Sequence, residues 1–215
     1  MAAFGGFPVE AIEFLRELEA NNDRDWFKAN RARYEEQLVA PARALGEDLA
    51  DFGRPRLFRP WNDTRFRPGP PVKEHLGLAI GYEGAGGFYV ELSLDGLLVA
   101  AGLHNPASDQ VERLRRGVDA GRTASALTRA IGRARAAGLE LNEPDLVRVP
   151  RGFSPDHPRL DLLRRRRLTV ARRHALGRWL HTPRAGVRIR QDLEAGAPLV
   201  HWLRERVGPA QRSGA

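Results

Sequence analysis

Leu76-Gly77-Leu78-Ala79-Ile80-Gly81-Tyr82, Phe88-Tyr89-Val90-Glu91-Leu92-Ser93-Leu94 and Leu97-Leu98-Val99-Ala100-Ala101-Gly102-Leu103 decide the fold. In the first run Leu76, Leu78, Ile80 and Tyr82 alternate with Gly77, Ala79 and Gly81; in the second Phe88, Val90, Leu92 and Leu94 alternate with Tyr89, Glu91 and Ser93. A period of two places one set on each face of a sheet. The runs are parted by a glycine turn at Gly84 to Gly87 and by Asp95-Gly96, a strong hairpin signal because both central residues of the favoured two-residue turn need positive φ. The middle of the chain is an antiparallel meander.

Outward from the meander the period becomes helical. Upstream, Pro8 suits a first helical position, and Ala11, Ile12, Phe14, Leu15 and Leu18 give an apolar face through about Ala20. Asp23 caps a second helix carrying Trp26, Phe27, Asn30, Tyr34 and Leu38, and Pro41 starts a third that turns Leu45, Leu49 and Phe52 inward. Leu57 to Trp61 reads as a short strand. Downstream, Asn105-Pro106 starts a helix with Gly121 as its stop, Thr123 to Ala137 forms another that Gly138 caps, and Leu146 to Val149 returns as a strand. Asp156 caps a helix with Pro158 in its first turn, and Leu168 to Arg172 suggests a strand. Leu176 to Leu180 and Val187 to Val207 read as helical, with a break near Gly196-Ala197-Pro198. The expected fold is α+β, a central antiparallel sheet over about residues 76–103 with N-terminal and C-terminal helices packed on it. Residues 1–208 are expected to form a single domain and 209–215 a frayed tail.

The bulk numbers narrow the function. No apolar run reaches the length of a membrane span, the N-terminus does not read as a secretion signal, and the chain has no cysteine, so a soluble protein of the cytoplasm is expected. The net charge of +8 comes almost wholly from arginine, since lysine occurs only at Lys28 and Lys73. Its distribution is uneven: residues 1–53 are acidic, whereas 147–190 hold 13 arginines, including the run Arg164 to Arg167. A phosphate-binding patch is one use for such a run, and a solvated helix end is the plainer one.

The chemistry-bearing residues concentrate in Trp61-Asn62-Asp63-Thr64-Arg65-Phe66-Arg67-Pro68-Gly69-Pro70-Pro71-Val72-Lys73-Glu74-His75-Leu76, a stiff turn that feeds the first strand of the meander. Asp63 and Arg65 are two apart, so in extended chain they share a face, where the carboxylate can orient the guanidinium; Phe66 points the other way, into the core. Arg59, Asp63, Arg65, Lys73 and His75 are therefore the candidate ligand-binding residues, suited to a phosphate or carboxylate. The competing role for Asp63 and Arg65 is an ion pair that pins the loop to the N-terminal helices through Arg24. His75 and His104 could approach Asp63, but no paired-histidine motif occurs, so no metal is expected. Dinucleotide, P-loop and Gly-x-Ser-x-Gly signatures are absent, and no cofactor is implied.

Several stretches together resemble the bacterial protein family called domain of unknown function 2461. They are Gly6-Phe7-Pro8, Asn21 to Phe27, Asp63-Thr64-Arg65-Phe66, Lys73-Glu74-His75-Leu76-Gly77, Gly102 to Pro106, and Pro150 to Phe153 leading to Asp156-His157-Pro158. The family pattern has an arginine before the aspartate, then an Asp/Asn-Lys pair and a tyrosine after the phenylalanine. Here Asn62 takes the first place, and Arg67 to Val72 supply neither the pair nor the tyrosine. The resemblance implies no reaction. The function expected is binding of an anionic small molecule, which an enzyme could use as substrate; the alternative is a nucleic-acid or protein interaction module built on the arginine-rich C-terminal third.

Overall fold

The computed structural model describes residues 3–63, 65 and 69–211. Helices α1 (Val9–Ala20), α2 (Arg24–Ala29), α3 (Arg31–Tyr34) and α4 (Ala40–Asp48) precede strands β1 (Pro55–Leu57), β2 (His75–Ile80), β3 (Gly87–Ser93) and β4 (Gly96–Leu103). Helices α5 (Ser108–Asp119) and α6 (Gly121–Ala136), strand β5 (Glu140–Leu141), helix α7 (Leu160–Leu163), strand β6 (Leu168–His174) and helix α8 (Arg184–Arg206) follow. The strands make one six-stranded antiparallel sheet in the order β1-β2-β3-β4-β6-β5. The fold is α+β, and the meander β2-β3-β4 is its centre. No helix among the described residues is long and apolar enough to cross a membrane.

The chain divides into two compact units, one of residues 1–80, 89–99 and 173–191 and the other of 81–88, 100–172 and 192–215. In the first, Phe14, Leu15, Leu18, Phe27, Leu38 and Leu45 are fully buried on α1 to α4, as are Leu78 and Ile80 on β2. Gly46 lets α4 approach closely, since a methyl there would lie 2.8 Å from Pro55 Cβ on β1. In the second, α8 packs on β4 at Gly196, where a methyl would lie 2.4 Å from Ala101 Cβ.

Local chemistry explains where the elements depart from the sequence pattern. Asp23 does cap α2, accepting from the N–H groups of Asp25 and Trp26. Pro41 stands in the first turn of α4 as expected, but α4 follows the π turn at Glu35–Val39 without a break, so the chain stays helical from Arg31 to Asp48. The β3-β4 turn is Leu94-Asp95, and positive φ falls on Gly96 alone (126°), where any side chain would meet His174 O. Gly121 begins α6 instead of ending α5, while Gly138 (φ 89°) ends α6 as expected. The returning strand is β5 at 140–141, earlier than Leu146 to Val149, because Asn142 locks onto β6 by accepting from Thr169 N and donating to Thr169 O. Asp156 caps no helix: α7 is a single turn behind Arg159, and Ser154 Oγ takes the Asp156 N–H. Gly196 to Pro198 do not interrupt α8, since glycine there serves close packing against β4.

Candidate functional site

The loop between β1 and β2 is closed by two asparagines. Asn62 donates from its backbone N to Pro71 O and from Nδ2 to Pro70 O (2.9 Å) and Val72 O (3.3 Å). Asn22, between α1 and α2, receives Val72 N–H on Oδ1 (3.0 Å) and donates from Nδ2 to Val72 O (2.9 Å) and Glu74 Oε1 (2.8 Å). A side-chain amide thus pairs with Val72 as a neighbouring strand would, and it ties the loop to the N-terminal helices. That tie runs through Asn22; Arg24 has no part in it. Asn62, standing where the family pattern has arginine, serves loop closure.

Asp63 and Arg65 meet as expected, in a bidentate fork: Nε to Oδ1 at 2.9 Å and Nη2 to Oδ2 at 2.7 Å. The backbone is a bend in which Asp63 Oδ1 also takes the Arg65 N–H, and both side chains lie open to water. The Arg65 guanidinium and N–H, and then the charge of Arg59, hold the Asp63 carboxyl below the usual carboxylate range. Phe66 lies outside the described residues.

Arg59 and Lys73 sit together. Lys73 Nζ donates to Arg59 O (2.8 Å) and lies 5.7 Å from the centre of the Phe58 ring. Burial, and then the positive charge of Arg59, hold its ammonium below the usual lysine range. The Arg59 guanidinium makes no hydrogen bond or ion pair among the described residues.

His75 is drawn elsewhere, to a cluster on the sheet that the sequence reading did not single out. Alternation turns Leu76, Leu78, Val90 and Leu92 to the helices and leaves His75, Gly77, Tyr89 and Glu91 on the opposite face, with Arg173 of β6. Glu91 is the hub: Tyr89 Oη donates to its Oε2 at 2.9 Å, His75 Nε2 lies 3.9 Å from Oε2, and Arg173 Nη2 lies 3.6 Å from Oε1. Burial, and then the charge of Glu91, push the Tyr89 phenol up, so it keeps its proton as a donor. Gly77 makes room, since a methyl there would lie 2.7 Å from Tyr89 Oη. Phe58 packs edge-on to Tyr89 at 5.9 Å, and Arg56 lies over the Phe58 ring at 5.2 Å. The available signal was the alternation itself, which put Tyr89 and Glu91 on one face at adjacent same-side positions.

A family model described as "Conserved hypothetical protein (DUF2461)" matches residues 10–202. The chain belongs to the DUF2461 family. No curated protein and no solved structure matches it. In this DUF2461 chain the arginine run does not form one free patch. Arg165 is buried and donates to Asp161 Oδ2 (2.8 Å), Arg167 donates to Asp145 Oδ1 (2.8 Å), and Arg164 is half-buried. His157 belongs to its turn, with Nε2 3.1 Å from Asp119 Oδ1. Among the described residues no group of three or more His, Asp or Glu side chains is placed to hold a metal ion.

Proposed function

We propose that this DUF2461 protein binds a small phosphate- or carboxylate-bearing molecule beside β1 and β2, working in the cytoplasm of a bacterial cell. Arg59 and Lys73 grip the anion, Arg65 adds a guanidinium oriented by Asp63, and His75 stands at the start of the sheet face where the rest of the molecule would lie. One observation supports the reading: Lys73 Nζ is held against the Arg59 backbone, and among the described residues neither cation has a carboxylate partner in hydrogen-bond reach; burial, and then the charge of Arg59, hold the lysine below its usual range. An anion between them removes that repulsion. Glu91, with Tyr89 and His75 about it, gives the same face a carboxylate and a proton donor, groups a small-molecule enzyme would use on a ligand held there.

The test is a thermal-shift and calorimetric titration with inorganic phosphate, sugar phosphates and dicarboxylates at ~0.15 M salt, where isolated surface charges are screened. Saturable binding should be lost in Arg59→Met with Lys73→Met, two variants that keep the apolar stems and hence the fold. If no anion shifts the wild-type midpoint, the reading is wrong.

A further inference from the structure

A cavity of about 430 Å³ lies away from this loop, between α6 and α8. Its volume falls within the range of small-molecule sites, about 300–1,000 Å³. Two helical stripes make its walls. On α6, Arg122, Ala126 and Arg129 stand at i, i+4 and i+7, which shares one face; on α8, Trp202, Glu205 and Arg206 stand at i, i+3 and i+4, which does the same.

The wall is rigid at its centre. Trp202 is buried, its Nε1 donates to Thr123 O (3.0 Å), and it lies against Gly117 of α5, where a methyl would sit 2.8 Å from the indole. The rim is charged and unspent. Arg122, Arg129 and Arg206 make no hydrogen bond or ion pair among the described residues. Glu205, the one acid among the lining residues, lies with Oε1 3.2 Å from His201 Nε2, one turn earlier on α8. What sets these three arginines apart is that they line one cavity together, with no oxygen partner among the described residues.

We propose that this cavity is a second anion site, for a ligand with at least two negative charges on tetrahedral phosphate groups. Three planar guanidinium forks call for a polyvalent acceptor, and phosphate oxygens accept from several forks at once, whereas a single carboxylate satisfies one. The site is independent of the Arg59 and Lys73 site and stands or falls separately.

Pyrophosphate is the probe, with acetate as the monovalent control, at ~0.15 M salt so that the diffuse positive field is screened. Binding is read by calorimetry and by indole fluorescence, with Trp202→Phe identifying which of the four tryptophans reports. The expected result is saturable pyrophosphate binding, absent for acetate, that weakens about tenfold or more with each of Arg129→Gln and Arg206→Gln, the scale of a lost charge-assisted hydrogen bond. It should be unchanged in Arg59→Met with Lys73→Met. Because the arginines are exposed and unpaired, the Gln variants should melt with wild type, which separates lost binding from lost folding. Pyrophosphate affinity equal in wild type and in the Arg129→Gln, Arg206→Gln double variant would overturn the proposal, as would loss of that affinity only in the Arg59 and Lys73 variants.

Discussion

Removing one amide, in Asn22→Ala, should loosen the candidate site and destabilise the protein together. Val72 is fully buried, and its N–H has Asn22 Oδ1 as its acceptor; its carbonyl keeps a second donor, Asn62 Nδ2 at 3.3 Å. The substitution therefore strands one buried donor, at about 1–3 kcal/mol, and loses the bonds to Val72 O and Glu74, each worth about 0.5–1.5 kcal/mol net. The sum is roughly 2–6 kcal/mol, a large share of the ~5–15 kcal/mol that holds a domain folded. For a chain of this size that is a fall in Tm of roughly 5–15 °C. Asn62→Ala is the internal control: Val72 O remains bonded to Asn22, so it should cost about 1 kcal/mol. Scanning calorimetry on the two variants decides it. A fall of under about 2 °C for Asn22→Ala, or a larger fall for Asn62→Ala, would refute the claim that Asn22 is the anchor.

Other outcomes follow from the same reasoning. Arg165 is buried with Nε and Nη1 unpartnered, and its acid, Asp161, is largely exposed, so Arg165→Met should raise Tm by a few degrees; a fall in thermal melts would show that the guanidinium stabilises the fold. Burial raises the Asp145 carboxyl, but the N–H groups of Arg167 and Arg166 and the Arg167 guanidinium outweigh it and hold the group below its usual range. A carboxyl lowered by folding contributes stability above its unfolded pKa, near ~4, and loses it as pH falls through the folded value. Asp145→Asn should therefore melt below wild type at pH ~7, with the gap closing under pH ~4; a constant gap would contradict the assignment. Lys73 is depressed, so anion affinity should decline as pH rises toward ~10, and Arg59→Met should move that decline to higher pH. Calorimetric unfolding is expected to show one transition, because β3, β4, β6 and α8 each contribute residues to both compact units; two resolved transitions would count against a single domain.

Much of the fold was legible because apolar spacing sets it. The meander, α1 and the Asp23 cap rest on local periodicity and local hydrogen bonds, which a sequence displays. What was not legible depends on partners distant in sequence. Pro41 did mark the first turn of α4, but the π turn that joins α4 to α3 without a break has no local signal in the sequence. Gly196 looked like a breaker, and only Ala101 on a strand nearly a hundred residues earlier makes it a packing residue. At the site, the Asp63 and Arg65 fork was readable from two-residue spacing. Glu91 was not, because a polar residue on the outer side of a strand is ordinary until Tyr89, His75 and Arg173 are seen to converge on it. Asn22 was not legible because its partners, Val72 and Glu74, lie about fifty residues further along the chain.

The anion site at Arg59 and Lys73 is the central claim, and a titration followed by backbone amide NMR tests it most directly. Phosphate or a dicarboxylate added to the wild-type protein at ~0.15 M salt should move the amide signals of Phe58, Arg59, Asp63, Arg65, Lys73 and His75 along one saturable curve. In Arg59→Met with Lys73→Met those shifts should vanish while the remaining spectrum stays in place. Signals that do not move, or that move only around Arg122, Arg129 and Trp202, would contradict it.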